Sequence, residues 1–255
     1  MTDVTPRHVL CVLGSGSGSG FGLADMERIA AEHGGFVLDR EYSAGEPDPR
    51  MPEAFEASMA GERFEQADRD AVESHDSVGY LLSAPMTRGL AADTSRRLLE
   101  ATAALLRSGA AAVKNESSGT AHGRDRWLAL AEQAAEAKDE ELAAVFVNAW
   151  VKLPIYDGEV LYSCGMHLLG APDVEIEVDE EQLTEHGVPE LAMHLKVLAI
   201  YLLTDPRAQE IEDGAGFRMT EDAPRHILRT AACDRYEEDD FFFNPYGYVR
   251  LTHPQ

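Results

Sequence analysis

Short apolar runs of strand length, set irregularly among stretches of helical period, limit this chain to folds that mix sheet and helix. His8 to Leu13, Phe36 to Leu38, Val78 to Ala84, Ala111 to Lys114 and Leu142 to Leu153 read as strands, the last of them long and rich in Val, Phe and Trp. Val160 to Tyr162, Phe217 to Met219, Ile227 to Ala231 and Tyr248 to Leu251 follow the same rule. From Val174 to Val178 the apolar Val174, Ile176 and Val178 alternate with Glu175, Glu177 and Asp179, the period-two pattern of a half-exposed strand.

Helical stripes separate these runs. Leu23, Met26, Ala30 and His33 fall on one face, and Gly34-Gly35 stops that helix. Thr94, Leu98, Ala101 and Leu105 line a helix over Ala91 to Ser108 with Gly109 as its cap, and Trp127, Leu130, Ala131 and Ala134 line another over Arg124 to Ala137. Residues 43–52 predict a loop, because three closely spaced prolines interrupt both helix and ladder bonding, and a polar helix or loop follows to about Ser77. The longest apolar stretch, Leu191 to Leu203, is interrupted by His194 and Lys196, opens beside Pro189 and stops at Asp205-Pro206. It reads as a buried helix, too short to span a bilayer. This irregular order predicts an α+β fold, a mixed, mainly antiparallel sheet covered by helices. Residues 1–75 are expected to form an N-terminal strand-helix-strand lobe with a Pro-rich loop, either separate or part of one domain, and 76–255 the main α+β domain.

Charge excludes whole classes of function. Among 255 residues, 46 acidic side chains face 22 basic ones, a net charge of -24. Such a surface repels nucleic acid and anionic lipid and favours metal ions or a protein partner with a basic surface, while the plainer reading is that the acidity only supplies solubility. The excess is thickest at 151–205, where 11 acidic residues meet two basic ones, Lys152 and Lys196. A second cluster, Glu237 to Asp240, runs directly into Phe241-Phe242-Phe243; such charge runs are usually solvated faces, and the three phenylalanines make a partner-binding edge the alternative. Cys11, Cys164 and Cys233 are scattered, odd in number and without C-x-x-C spacing. With no apolar leader at the N-terminus, they predict a reducing, cytoplasmic setting and no disulfide framework.

Three motifs carry candidate chemistry. Glycines alternate from Gly14 to Gly22 between a strand and a helix, the setting of a phosphate cradle. They lack both the Gly-Lys-Ser/Thr ending and the G-x-G-x-x-G spacing, so no cofactor is predicted. The segment Lys114 to His122, between a strand and a helix, gathers Glu116, Ser117, Ser118 and His122 within nine residues. A Ser118 activated by His122 would support acyl transfer, and Glu116 with His122 would suit a metal. The same residues are ordinary turn formers and helix caps. Ser163 to Glu177 places His167, Asp173 and Glu175 near a short turn bracketed by Gly165 and Gly170; the spacing matches no zinc pattern, and a histidine in an apolar turn is usually a core residue.

The order of landmarks resembles a bacterial family of uncharacterised proteins, domain of unknown function 4261. The resemblance covers about residues 76–252. It is carried by Gly109 to Val113, Ser118-Gly119 with His122 and Trp127, Gly165 to Ile176, and the Asp213 to Gly216 turn. Lys114-Asn115 stands where that family commonly has aromatic residues, and the Asp213 turn lacks the usual following threonine. The resemblance implies no activity; it implies that Gly165 and Gly170 serve the fold.

Two functions follow. The first is a non-catalytic acidic binding module, of the kind that serves in immunity or regulation. The second is a hydrolase or metal-dependent enzyme using Glu116, Ser118, His122 and His167 of the 114–122 and 163–175 loops, which requires those side chains to converge.

Overall fold

A computed structural model of the chain describes residues 4–15, 20–59, 64–184 and 187–252. It is an α+β structure with two sheets. The first takes β1 (Val9–Ser15), β2 (Phe36–Ala44), β3 (His75–Ser83), β4 (Ala112–Asn115) and β5 (Thr120–Ala121) in the order β2-β3-β1-β4-β5, all antiparallel. The second takes β6 (Lys152–Tyr156), β7 (Val160–Cys164), β8 (Asp173–Glu177), β9 (Gly216–Phe217), β10 (His226–Ala231) and β11 (Tyr248–Leu251). Its order is β6-β7-β8-β11-β10-β9, with β8 and β11 parallel. The first sheet draws β1 and β2 from the expected N-terminal lobe and β4 and β5 from the main domain, with β3 beginning at their boundary. The lobe therefore has no sheet of its own.

The inner faces of both sheets share one core. Leu10, Val12, Leu81 and Val113 of the first sheet and Leu161, Val174, Ile176 and Val249 of the second belong to a single apolar cluster. α1 (Leu23–Glu32), α4 (Arg88–Ser108), α5 (Arg124–Glu136), α6 (Asp139–Trp150) and α7 (Gly187–Thr204) pack into it, each neighbouring the next. α4 turns its periodic stripe inward, and Gly109 ends it at φ +116, a conformation open to glycine. α7, the most apolar helix, starts at Gly187, four residues before the apolar stretch read from the sequence as too short to span a bilayer, and over that length it is long and apolar enough by composition to cross a membrane. It packs on the core through Leu191, Leu195, Leu198, Ala199 and Leu202.

Three local expectations are corrected. Leu142 to Leu153 is not one strand: α6 occupies it as far as Trp150, and β6 begins at Lys152. Val145, Phe146 and Val147 favour strand locally, but Ala143, Phe146, Val147 and Trp150 recur at helical spacing and bury together. Asp139, Glu140 and Glu141 in the first turn complement the helix dipole. The Pro-rich loop is shorter than 43–52. β2 continues to Ala44, and α2 (Met51–Glu56) starts with Pro52 in its first turn, where the missing N–H costs nothing. α3 (Gln66–Glu73) completes the polar segment before β3. Finally, β8 is not half-exposed: Glu175 is buried.

Outer faces are covered differently. On the first sheet, Cys11, Leu13, Val78 and Ala112 lie beneath Met51 and Phe55 of α2, Val72 of α3 and Phe64 before it. On the second, the loop after β10 folds back. Arg235 stacks between the rings of Tyr162 and Tyr248, its guanidinium 4.6 Å from each centroid, and pairs with Asp157 at 3.0 Å and Glu175 at 2.6 Å.

Candidate functional site

The two polar loops singled out in the sequence meet where the sheets join, and Ser117, Ser118, Ser163 and Asp173 are hydrogen-bonded within the fold. Gly165, at φ +121, opens the 3-10 turn Met166–Leu169. A Cβ there would lie 2.8 Å from that of Ser118 and would overlap the Trp150 carbonyl oxygen. Gly165→Ala should therefore cost about 3 kcal/mol, from strain at positive φ together with overpacking. Urea denaturation measures this, and a loss well under 1 kcal/mol would contradict the packing.

Each candidate residue has a definite place. Ser118 is buried with its hydroxyl on the Thr120 hydroxyl at 2.9 Å. The buried His122 places Nε2 3.2 Å from the Ala149 carbonyl and stacks edge-on against Trp127. No hydrogen bond joins Ser118 to either histidine among the described residues, so the Ser–His arrangement of an acyl-transfer site is not formed. Burial pushes the His122 imidazole down to about 4, against the raising effect of the Ala149 and Asn148 carbonyls. His167 is also buried, with neither ring nitrogen in a well-formed hydrogen bond. Its burial lowers it to about 4, offset in part by the carbonyls of Phe241 and Ser117.

Asp173 takes the Ser163 hydroxyl at 2.7 Å, the Met166 N–H at 3.2 Å and the Asn244 amide at 2.7 Å. It thereby caps the turn that carries His167. Burial raises its carboxyl to about 6, against the lowering effect of those donors. Glu175 is held by Arg235 and Arg250 at 2.6 Å each. Among the described residues no group of three His, Cys, Asp or Glu side chains converges as a metal site. Of the glycine run, residues 16–19 lie outside the described residues; Gly14 lies within β1, one residue before its end, and Gly22 caps α1.

Glu116 alone of the candidates lines an open cavity, a cleft of about 1040 Å3 over the outer face of the first sheet. Strand register builds its floor. Asp39, Tyr80, Cys11 and Lys114 form one cross-strand row, and Val37, Leu82 and Val9 the next. Glu116 extends that second row through its N–H to the Val9 carbonyl. β2 bulges between Asp39 and Ala44. The Asp39 carboxylate accepts the Glu41 and Tyr42 N–H groups, and the Ser43 hydroxyl takes the Tyr80 N–H that would otherwise seek a strand partner. α2 and the segment from Glu46 to Arg50 form the opposite wall, pinned where the Asp48 N–H donates to His75 Nε2.

The chemistry of this floor is subdued. Lys114 is buried against the Phe55 ring, with Nζ 3.1 Å from Glu116 and 3.5 Å from the Ala54 carbonyl. The Cys11 thiol is raised by burial and then by the Glu116 charge, and the Tyr80 hydroxyl by burial and then by Cys11. Both stay protonated at neutral pH, the reverse of an activated nucleophile or base. Sequence reasoning missed Tyr80, Cys11 and Asp39, because only strand register brings them to one row with Lys114. The acidic and aromatic edge is partly packed: Phe242 packs edge-on against Tyr236, while Phe241, 53% exposed, lines the cleft. No protein-family model, curated protein or solved structure matches this chain.

Proposed function

We propose that this chain is a non-catalytic acidic binding protein of the cytoplasm, an immunity-like or regulatory factor whose partner is a protein with a basic surface. The observation that carries this reading is that the two polar loops form no reactive pair among the described residues: the Ser118 hydroxyl is on Thr120, His122 is at the Ala149 carbonyl, and the cleft amine of Lys114 is paired with Glu116. A net charge of -24 supplies the steering that a cationic partner requires. Three free cysteines, two of them buried, fit a reducing compartment. The competing hydrolase would need Ser118 and His122 to abandon their present partners, and nothing in the geometry favours that exchange.

Capture from a lysate, followed by titration of the recovered protein, tests the proposal. A basic partner that binds saturably, and less tightly as salt rises, is expected. Recovery of no saturable, salt-sensitive partner would contradict it.

A further inference from the structure

We infer that α7 is the seam of a two-fold homodimer, in which it crosses its copy antiparallel at Met193 and Glu190 of each chain pairs with the partner's Lys196. This goes beyond the basic-partner reading and does not depend on it. α7 is the most apolar helix, yet only five of its 18 residues are buried, against six of 12 in α6. The buried five, Leu191, Leu195, Leu198, Ala199 and Leu202, form one stripe on the core. On the opposite side of the helix Met193, Val197 and Ile200 recur at helical spacing, Met193 57% exposed and the other two partly so. His194 turns aside, its ring 6.2 Å from that of His226.

Charge selects a second copy. The only carboxylate of α7 is Glu190 and its only amine is Lys196. Lys196 places Nζ 2.6 Å from the Asn148 amide oxygen and has no carboxylate within ion-pair reach among the described residues. In a chain with 46 acidic and 22 basic side chains that isolation stands out, and burial, then Arg126, lower the amine. Glu190 is exposed and makes no ion pair among the described residues either. The two charges stand three residues before and three residues after Met193, so both flank it on the outer face. Reversing one helix about Met193 therefore brings each Glu190 level with the partner's Lys196, within reach of their long side chains, and Val197 level with Pro189. That is the self-complementarity an isologous interface requires. A parallel crossing would set Glu190 on Glu190 and Lys196 on Lys196. A partner with a basic surface would meet Lys196 as a like charge.

The test is sedimentation equilibrium of the full chain at about 150 mM salt, where the general repulsion between two acidic copies is screened. The parent should form dimers as its concentration rises. Glu190→Lys alone and Lys196→Glu alone should each weaken the dimer about tenfold or more, because symmetry places two like-charge contacts in each seam. Mixing these two variants in equal amounts should restore association to the parent's level, since every contact in the mixed dimer is again of opposite sign. Met193→Glu, at an exposed position that leaves folding intact, should give a monomer. Matched circular dichroism confirms that each variant folds.

A parent that stays monomeric at every concentration would overturn the inference. So would a dimer that survives Met193→Glu, or a mixture that associates no better than the single variants. A monomeric parent that sediments with phosphatidylcholine vesicles, and loses them in Met193→Glu, would assign the face to a lipid surface and likewise overturn it.

Discussion

Lowering the pH from 7 to 4 should unfold this protein, and the transition should begin near pH 6. Three histidines are buried in the neutral form. His8 is lowered from 6.5 to about 3 by desolvation and then by the neighbouring His167, while His122 and His167 fall to about 4. The hydrogen-bond network around His8 fixes its neutral tautomer. Asn115 donates to His8 Nδ1 at 2.7 Å, so Nε2 carries the proton toward Ser95 at 2.9 Å, and Ser95 passes its own to the Leu168 carbonyl.

Because each folded value lies below the unfolded one, the unfolded chain binds more protons as pH falls below 6.5. The stability these groups contribute is complete above that pH and is lost on the way to the folded values. Asp173 opposes them. Its folded value of about 6 exceeds the unfolded 3.8, so its contribution is lost as pH rises through that interval and regained as pH falls. The net effect is two histidines' worth, about 3 kcal/mol per pH unit near pH 5. Two such units approach the whole stability of an ordinary domain, about 5–15 kcal/mol. Urea denaturation at pH 7, 6 and 5 measures the slope. Stability that stays flat over that range, or imidazole resonances that titrate near 6.5 in the folded state, would show these rings to be solvated.

The second large effect is expected from Glu175→Ala. The carboxylate side chain is 2% exposed and bridges Arg235 and Arg250, while Arg250 also reaches Glu177 at 2.8 Å. Removing one member of a buried ion cluster leaves the others desolvated and unpaired, a loss of about 3 kcal/mol or more. Asp157 and the two tyrosine rings still hold Arg235, which places the estimate at the lower end of that range. Loosening should be local first, with faster amide exchange from Ala232 to Gly247, the segment that Arg235 pins. Equal stability of the variant and the parent would mean that the loop is held by its aromatic contacts alone.

These two predictions also mark where the sequence was legible. Helix stripes such as Leu98, Ala101 and Leu105 needed only local periodicity, and α4 and α5 formed where that periodicity placed them. Tyr248 to Leu251 became a strand at its expected limits. Glu175 looked solvent-facing because its neighbours alternate, yet its burial is decided by Arg235 and Arg250, which are remote in sequence and reach it only after β11 pairs with β8. Val145 to Val147 has strong strand preference, but the packing of Phe146 and Trp150 against the core overrode it. The cleft was hidden for the same reason. Asp39, Tyr80, Cys11 and Lys114 come from four separate strands, and only the register of β1 with β3 and β4, and of β2 with β3, sets them side by side. The polar loops were visible as clusters, while their conversion into caps and packing contacts depends on Trp150 and Asn244, far along the chain.

The central claim is that this protein acts through surface charge rather than through chemistry in its two polar loops. The most direct measurement is the affinity for the captured partner between about 50 and about 500 mM salt, in the parent and in Ser118→Ala. The account predicts a loss of about a hundredfold across that range, identical in both proteins. An affinity insensitive to salt, with partner or substrate turnover abolished by Ser118→Ala in a folded protein, would contradict it.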